Sequence, residues 1–253
     1  MKPPLDRALD RPDDKRRYVR RLFDTIADRY DLITVLLSFG CDQRWKARAI
    51  EACGVRPGDR VIDLACGTGD LAYLAAGAGA RVTGLDITGR MIALARRKAG
   101  SRRERAISAP NWIVGDMGAL PVASGAFDAV TTGYGLRNVP DLPRAIAEIH
   151  RVLRPGGRFV SLDFDRPESR WLRGVYLGYL TIVGSALGWV LHRDADTYRY
   201  IPASIQRYPG ARAVAVLLQQ SGFTDVRLVP VFGGLMAVHV SRRGTEPFST
   251  DRR

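Results

Sequence analysis

Ten residues, Val61-Ile62-Asp63-Leu64-Ala65-Cys66-Gly67-Thr68-Gly69-Asp70, join a short apolar run to a carboxylate and two closely spaced glycines. The run suits a buried parallel strand. The glycines suit a tight turn, where a ligand meets bare backbone beside the N–H groups of a starting helix. This is the chemistry of a loop that holds a nucleotide-type cofactor. A dinucleotide fingerprint asks for a third small residue three places on, where Ala72 stands, so that position excludes nothing. Asp63 before the turn and the compact order from Ala65 to Gly69 favour a cofactor with an amino acid end, whose ammonium pairs with a carboxylate. S-adenosylmethionine is such a cofactor. A βα turn without any ligand would carry the same local sequence.

More acids follow at strand ends. Residues 81–87 read as a second strand bearing Asp86, 17 residues after Gly69, close to the spacing of a carboxylate that accepts both ribose hydroxyls. A cap for the following helix, 89–98, would use the same residue type. Residues 112–115 form a third strand, leaving Asp116 to accept an adenine amino group and Met117 to pack on the ring. A fourth strand, 127–132, opens onto Gly133-Tyr134-Gly135-Leu136-Arg137-Asn138. Ligands of open α/β sheets lie beyond the carboxyl ends of strands, so this segment should face the transferable methyl group. A fifth strand, 158–164, leaves Asp163 and Asp165 at its exit.

The elements around these residues fit one elaborated domain, since 253 residues at 46% hydrophobic suffice for a substantial core. Residues 1–17 are polar and proline-rich and read as a disordered tail without a secretory signal. From Tyr18, Val19, Leu22, Phe23, Ile26 and Ala27 recur at helical spacing, and residues 32–37 give a second apolar run. These elements, within 18–56, precede the first strand, so they can pack on the sheet or serve as a lid over the cofactor. The cofactor core follows at 57–165, with an amphipathic helix at 142–153 and a turn at 154–157. Residues 174–191 run 18 positions without a charge, the lower limit for a membrane span. Gly174, Gly178, Gly184 and Gly188 interrupt them, and a span would divide the sheet, so two short helices broken near Gly184 are expected as an apolar cap within 166–210. A connector at 198–209, a helix at 213–220 and a strand pair at 226–231 and 235–240 complete the domain at 241, before a C-terminal tail.

Composition narrows the classes. Three cysteines without CxxC spacing fit a reduced, cytoplasmic setting, and three scattered histidines argue against a metal site. The net charge of +13 comes from cations of which 35 of 39 are Arg, spread over every segment, 102–108 included, without interleaved aromatics. That argues against nucleic acid and leaves an anionic membrane surface open.

In this order the motifs resemble the class I S-adenosylmethionine-dependent methyltransferases. More narrowly, from Tyr18 to Ser241, the chain resembles the quinone-ring C-methyltransferases that complete menaquinone and ubiquinone. The residues that carry this are Phe23-Asp24-Thr25-Ile26-Ala27 with Tyr30-Asp31 and Trp45-Lys46, the 63–70 loop, Gly84-Leu85-Asp86-Ile87, and above all Tyr134-Gly135-Leu136-Arg137-Asn138-Val139. Tyr198-Arg199-Tyr200-Ile201-Pro202-Ala203-Ser204-Ile205 and Gly233-Gly234 add to them. The resemblance implies a Rossmann-like α/β fold, a mostly parallel seven-stranded sheet with helices on both faces and an apolar helical cap. It implies S-adenosylmethionine bound by Asp63, Ala65, Gly67, Thr68, Gly69, Asp86, Ile87, Asp116, Met117 and Gly133. Gly133 stands where the family usually has Ser, Cys66 where many members have Gly, and the cap near Val183 lacks an expected proline.

The reaction so implied is methyl transfer to a ring carbon of a demethylated, prenylated quinol. Arg137 would stabilise the phenolate with Asn138 orienting it, and Asp163 and Tyr134 are candidates to move the proton. Partners would be a lipophilic quinol or another small aromatic and an anionic membrane surface, with a homodimer left open. The alternatives are a small-molecule methyltransferase of secondary metabolism and a non-catalytic cofactor-binding protein.

Overall fold

The structure, a computed structural model, describes residues 5–102, 109–167 and 169–245. Seven strands form one sheet: β1 (Arg60–Leu64), β2 (Arg81–Asp86), β3 (Asn111–Val114), β4 (Phe127–Gly133), β5 (Leu153–Phe164), β6 (Phe223–Val231) and β7 (Met236–Arg243). Their order is β3-β2-β1-β4-β5-β7-β6, with β1 to β5 parallel and β7 antiparallel to both its neighbours. The mostly parallel seven-stranded expectation holds.

Alternation along the strands builds two cores. Val61, Ala129, Val160 and Val238 face α4 (Asp42–Cys53) and α5 (Asp70–Gly77). Ile62, Val130 and Phe159 face α7 (Leu142–Val152) and α10 (Ala211–Gln220). Both faces of the central strands are therefore buried, and the polar side chains Asp63 of β1 and Thr131 of β4 are hydrogen-bonded to each other. The Arg154-Pro155-Gly156-Gly157 turn is extruded from β5 as an irregularity, since Phe127 pairs with Leu153 but Ala129 with Arg158.

A helical layer covers the carboxyl ends of the strands, and here three expectations change. The stretch read as a disordered tail contains α1 (Leu5–Asp10) and the first six residues of α2 (Pro12–Ile26). Pro12 opens α2, Asp13 and Asp14 occupy its first turn, and Val19 packs on Tyr200, so the helix has both a start signal and a buried face. The two cap helices are one, α8 (Arg170–His192). A helical glycine costs only about 1 kcal/mol, and here it permits close approach. A Cβ at Gly184 would sit 3.2 Å from that of Tyr198, and one at Gly188 would sit 2.5 Å from the Asp194 carbonyl oxygen. The connector contains α9 (Tyr200–Arg207), and the tail gives up residues 242 and 243 to β7. The basic residues 103–108 and the last eight of the tail lie outside the described residues. The remaining helices are α3 (Tyr30–Leu37) and α6 (Gly89–Arg102).

Candidate active site

Three adjoining cavities lie at the carboxyl ends of the strands. The first, about 670 Å³, is lined by Ala65 and Gly67 after β1, Asp86 and Ile87 at the end of β2, Asp116 and Met117 after β3, and Gly133 at the end of β4. Tyr134 and Asn138 close one wall, and Arg16, Val19 and Phe23 of α2 roof it. The backbone is bent sharply around it. Gly67 has φ 55°, and Ala65 and Tyr134 take φ 50° and 59° despite carrying a Cβ, a strain found mostly at functional sites. Asp86, pushed up by burial, accepts from the Gly67 amide at 2.9 Å and the Thr88 amide at 2.8 Å. It therefore ties the glycine loop to the start of α6 while lining the cavity. Asp116 accepts from the Gly118 amide at 2.8 Å and pairs with Arg16 of α2 at 2.9 Å.

The second cavity, about 300 Å³, is lined by Asp63, Thr68, Lys46 and Asp70, with Ala65, Gly133 and Tyr134 shared. Asp63 Oδ1 accepts from the Thr131 hydroxyl at 2.7 Å, while Oδ2 is buried without a hydrogen-bond partner among the described residues. Burial pushes Asp63 up to about 7. Lys46 bridges Asp42 at 2.6 Å and Asp70 at 3.0 Å. Burial opposes its charge, but the two carboxylates outweigh that and hold its proton above the usual lysine range. Asp70, despite burial, is held well below the usual carboxylate range by Lys46 and Lys98. Thr68 donates to Asp31 at 2.6 Å, fastening α3 to the glycine loop. Gly69 lines none of the three cavities; its φ of 87° starts α5, and a Cβ there would overlap the Trp112 ring.

The third cavity, about 480 Å³, is apolar apart from a few groups. Leu37, Trp45, Phe164, Tyr176, Phe232 and Met236 wall it, Arg137 enters from one side, and Tyr30 and Tyr134 separate it from the first. Arg137 is 6% exposed, its guanidinium carbon 4.7 Å from the Phe164 ring centroid. It is held from behind by Asp163, whose Oδ1 lies 3.6 Å from Arg137 Nε and whose Oδ2 accepts from the Arg137 amide at 3.1 Å. Asp163 is raised by burial against the pull of Arg137, and it lines none of the cavities. Asn138 donates to the Tyr134 carbonyl at 2.7 Å and accepts from Arg137 at 3.2 Å and from the Tyr200 hydroxyl at 2.9 Å.

Arg16, Asp31, Asp42 and Lys98 carry no site role in the sequence reading. Lys46 enters there only as part of a motif. The i,i+4 spacing of Asp42 and Lys46 signals one ion pair, but their partners 24 to 92 residues away leave no local trace. No group of three or more His, Cys, Asp or Glu that could hold a metal gathers among the described residues.

The sheet order, the bent glycine loop and the row of strand-end carboxylates define an S-adenosylmethionine-dependent methyltransferase of class I. The chain belongs to the ubiE/COQ5 methyltransferase family, which it matches over residues 11–243. It is 40% identical over 224 residues to a demethylmenaquinone methyltransferase of Thermus thermophilus, covering 88% of this chain and all of that one. To a ubiquinone/menaquinone biosynthesis C-methyltransferase of Methylobacterium nodulans it is 38% identical over 234 residues, 90% of this chain and 91% of the relative. A crystal structure from Thermotoga maritima, described as an S-adenosylmethionine-dependent methyltransferase and possible histamine N-methyltransferase, shares the fold. Its TM-score is 0.62 at 18% identity, covering 89% of this chain and 99% of that one.

The residues present fit the cofactor. Asp63 Oδ2 is a buried acceptor in want of a donor, as an ammonium would supply. A Cβ at Gly135 would overlap the Thr132 hydroxyl oxygen and come within 3.0 Å of the Ala65 Cβ, so a glycine is what lets this loop lie so close to the strand ends.

Proposed function

We propose that this methyltransferase alkylates a ring carbon of a demethylated quinol in menaquinone or ubiquinone biosynthesis, with the quinol ring in the third cavity. The observation that carries the proposal is a buried Arg137 in the wall of an apolar pocket that meets the cofactor cavity at Tyr30 and Tyr134. The names of the Thermus and Methylobacterium relatives support the substrate class. Asp63 would take the cofactor's ammonium, Asp86 the ribose and Asp116 the adenine edge, with Thr68 and Gly69 shaping the loop. When bound, S-adenosylmethionine supplies a methyl group activated by a sulfonium.

The protein's task is to make the ring carbon nucleophilic. A phenol titrates near pH 10, so the site has to favour phenolate. Arg137 places its guanidinium in the pocket wall, with Phe164 beneath it and Asp163 and Asn138 fixing its direction. Asp163 lies behind the guanidinium, so it orients Arg137 and does not touch the ring. Tyr134 donates its own proton to Asp42 at 2.6 Å, which leaves a lone pair on its oxygen for the quinol hydroxyl. Burial, and then Asp42, push Tyr134 well above the usual phenol range, so it passes a proton on as a neutral hydroxyl. Tyr134 and Asp42 thus form an outlet for the proton that the quinol loses.

A prenylated quinol resides in the bilayer, so the proposal places a cytoplasmic enzyme in peripheral contact with an anionic membrane. The test is methyl transfer from labelled S-adenosylmethionine to a demethylated naphthoquinol, a demethylated benzoquinol and a short-chain analogue. Transfer to a quinol identifies the ring; cofactor binding without transfer to any of the three overturns the proposal.

A further inference from the structure

Helix α8 is apolar on the side that faces water as well as on the side that packs. Its buried face consists of Tyr176, Leu180, Gly184 and Gly188. Trp171, Val175, Ile182, Trp189 and Val190 recur at helical spacing on the opposite face, and Trp171 and Ile182 are 77% and 72% exposed. Such a helix in a water-soluble protein is normally covered. By length and composition α8 is long and apolar enough to cross a membrane, yet one face of it is locked onto Tyr198 and Ile205, so only its outer stripe is free to meet lipid.

The stripe does not stand alone. Helix α3 packs beside α8 through Leu37, Leu187 and Leu191, and turns Leu32, Val35 and Leu36 outward. Phe39, 63% exposed, follows α3, stacks on Tyr179 of α8 at 5.6 Å and lies tilted against Phe232 at 6.2 Å. Phe232 in turn lines the third cavity, together with Tyr176 of α8 and Leu37 of α3. The exposed apolar surface is thus continuous with the wall of the pocket that holds Arg137.

We propose that the outer faces of α3 and α8 form a docking surface for an anionic phospholipid bilayer, and that Phe39, Tyr179 and Phe232 form the portal through which a lipid-borne substrate passes sideways into the third cavity. Charge selects the occupant. No charged residue occurs between Arg173 and Arg193, while Arg166, Arg170 and Arg173 gather at the start of α8 and Arg193 at its end, over the Trp189 ring at 5.3 Å. Tryptophan at both ends of an uncharged stripe with cations beyond is the pattern of a helix lying in the headgroup plane. The portal rests on the quinol proposal above; the docking surface does not.

The experiment is sedimentation of the full chain with vesicles of phosphatidylcholine alone and of phosphatidylcholine mixed with phosphatidylglycerol, for the wild type and for Ile182→Asp/Trp189→Asp. Both substituted side chains are exposed and lie outside the three cavities. The wild type should bind the mixed vesicles, more weakly as salt rises, and the double variant should lose at least about 100-fold in partitioning. The variant should keep methyl transfer to a short-chain soluble quinol and lose it toward a prenylated quinol in vesicles. Unchanged vesicle binding by the variant overturns the docking surface. So does a wild type that is dimeric, binds no vesicles and becomes monomeric on substitution, because a second copy then covers the stripe. Vesicle binding as expected, with no transfer to any quinol, overturns the portal and the substrate class and leaves the docking surface standing.

Discussion

The Tyr134 hydroxyl and Asp42, 92 residues apart in the chain, are joined by a 2.6 Å hydrogen bond beneath the wall shared by the cavities. Lys46 lies 2.6 Å from the other oxygen of the same carboxylate, so the outlet proposed for the quinol proton would end on a buried, compensated charge. Tyr134→Phe keeps the ring and removes the hydroxyl. Its kcat should fall by about 10²-fold or more, the usual contribution of a positioned proton-transfer group. Cofactor affinity by calorimetry should change little. Unaltered kcat would exclude Tyr134 from the proton path.

Arg137→Ala tests the cation. Turnover should fall by about 10²–10³-fold, as when an electrostatic stabiliser is removed, while cofactor binding stays near normal. The substitution also strands Asp163, 2% exposed, without its ion-pair partner. Loss of a buried partner costs about 3–5 kcal/mol, so the melting temperature should drop as well. Arg137→Ala/Asp163→Asn should recover much of that stability and none of the activity. Recovery of turnover in the double variant would rule out the phenolate role.

The sheet was legible because its information is local. Apolar runs ending in Asp63, Asp86 and Gly133 give strand, turn and ligand-facing end within a few residues. Seven of the ten expected cofactor residues line the first cavity, and Asp63 and Thr68 line the second. The helical layer was harder. Nothing near Lys15 says that its ammonium will donate to the carbonyls of Arg137 and Val139, more than 120 residues on. Likewise the glycines of α8 look like breaks until Tyr198 is seen packed against Gly184. Propensity speaks for the residue, but tertiary contact decided these elements.

Asp63 predicts a pH dependence. Its folded pKa of about 7 lies above the ordinary carboxylate value of 3.8, so between about pH 4 and 7 the native chain holds a proton that the unfolded chain has released. Native stability is therefore present at low pH and lost as pH rises through that window, by at most about 1.4 kcal/mol per pH unit. Denaturant titrations of the cofactor-free chain should show this slope, and Asp63→Asn should flatten it. An ammonium at Oδ2 favours the ionised carboxylate, so cofactor binding near pH 6 should release a proton in the wild type and none in the variant. Calorimetry in buffers of different ionisation enthalpy reads that proton directly. Equal proton release by both chains would remove Asp63 from the ammonium site.

Cofactor exchange is expected to need the α2 roof of the first cavity to lift. Two adjacent cations of α2 hold it down: Arg16 pairs with Asp116, and Lys15 Nζ donates to the Arg137 carbonyl at 3.0 Å and the Val139 carbonyl at 2.7 Å. Arg16 is partly exposed, so its pair is worth about 0.2–1 kcal/mol, and Arg16→Gln should speed cofactor release about two- to fivefold. Lys15 is the stronger tether, because its bonds carry a charge and are partly buried. Lys15→Met should speed release about tenfold or more. Burial pushes the Lys15 ammonium down to about 8, so its charge is present below that pH and lost above it. Release from the wild type should therefore quicken as pH rises past about 8, while Lys15→Met shows no such step. Stopped-flow displacement of bound cofactor measures both rates. A pH step that survives in Lys15→Met would mean that another group holds the roof.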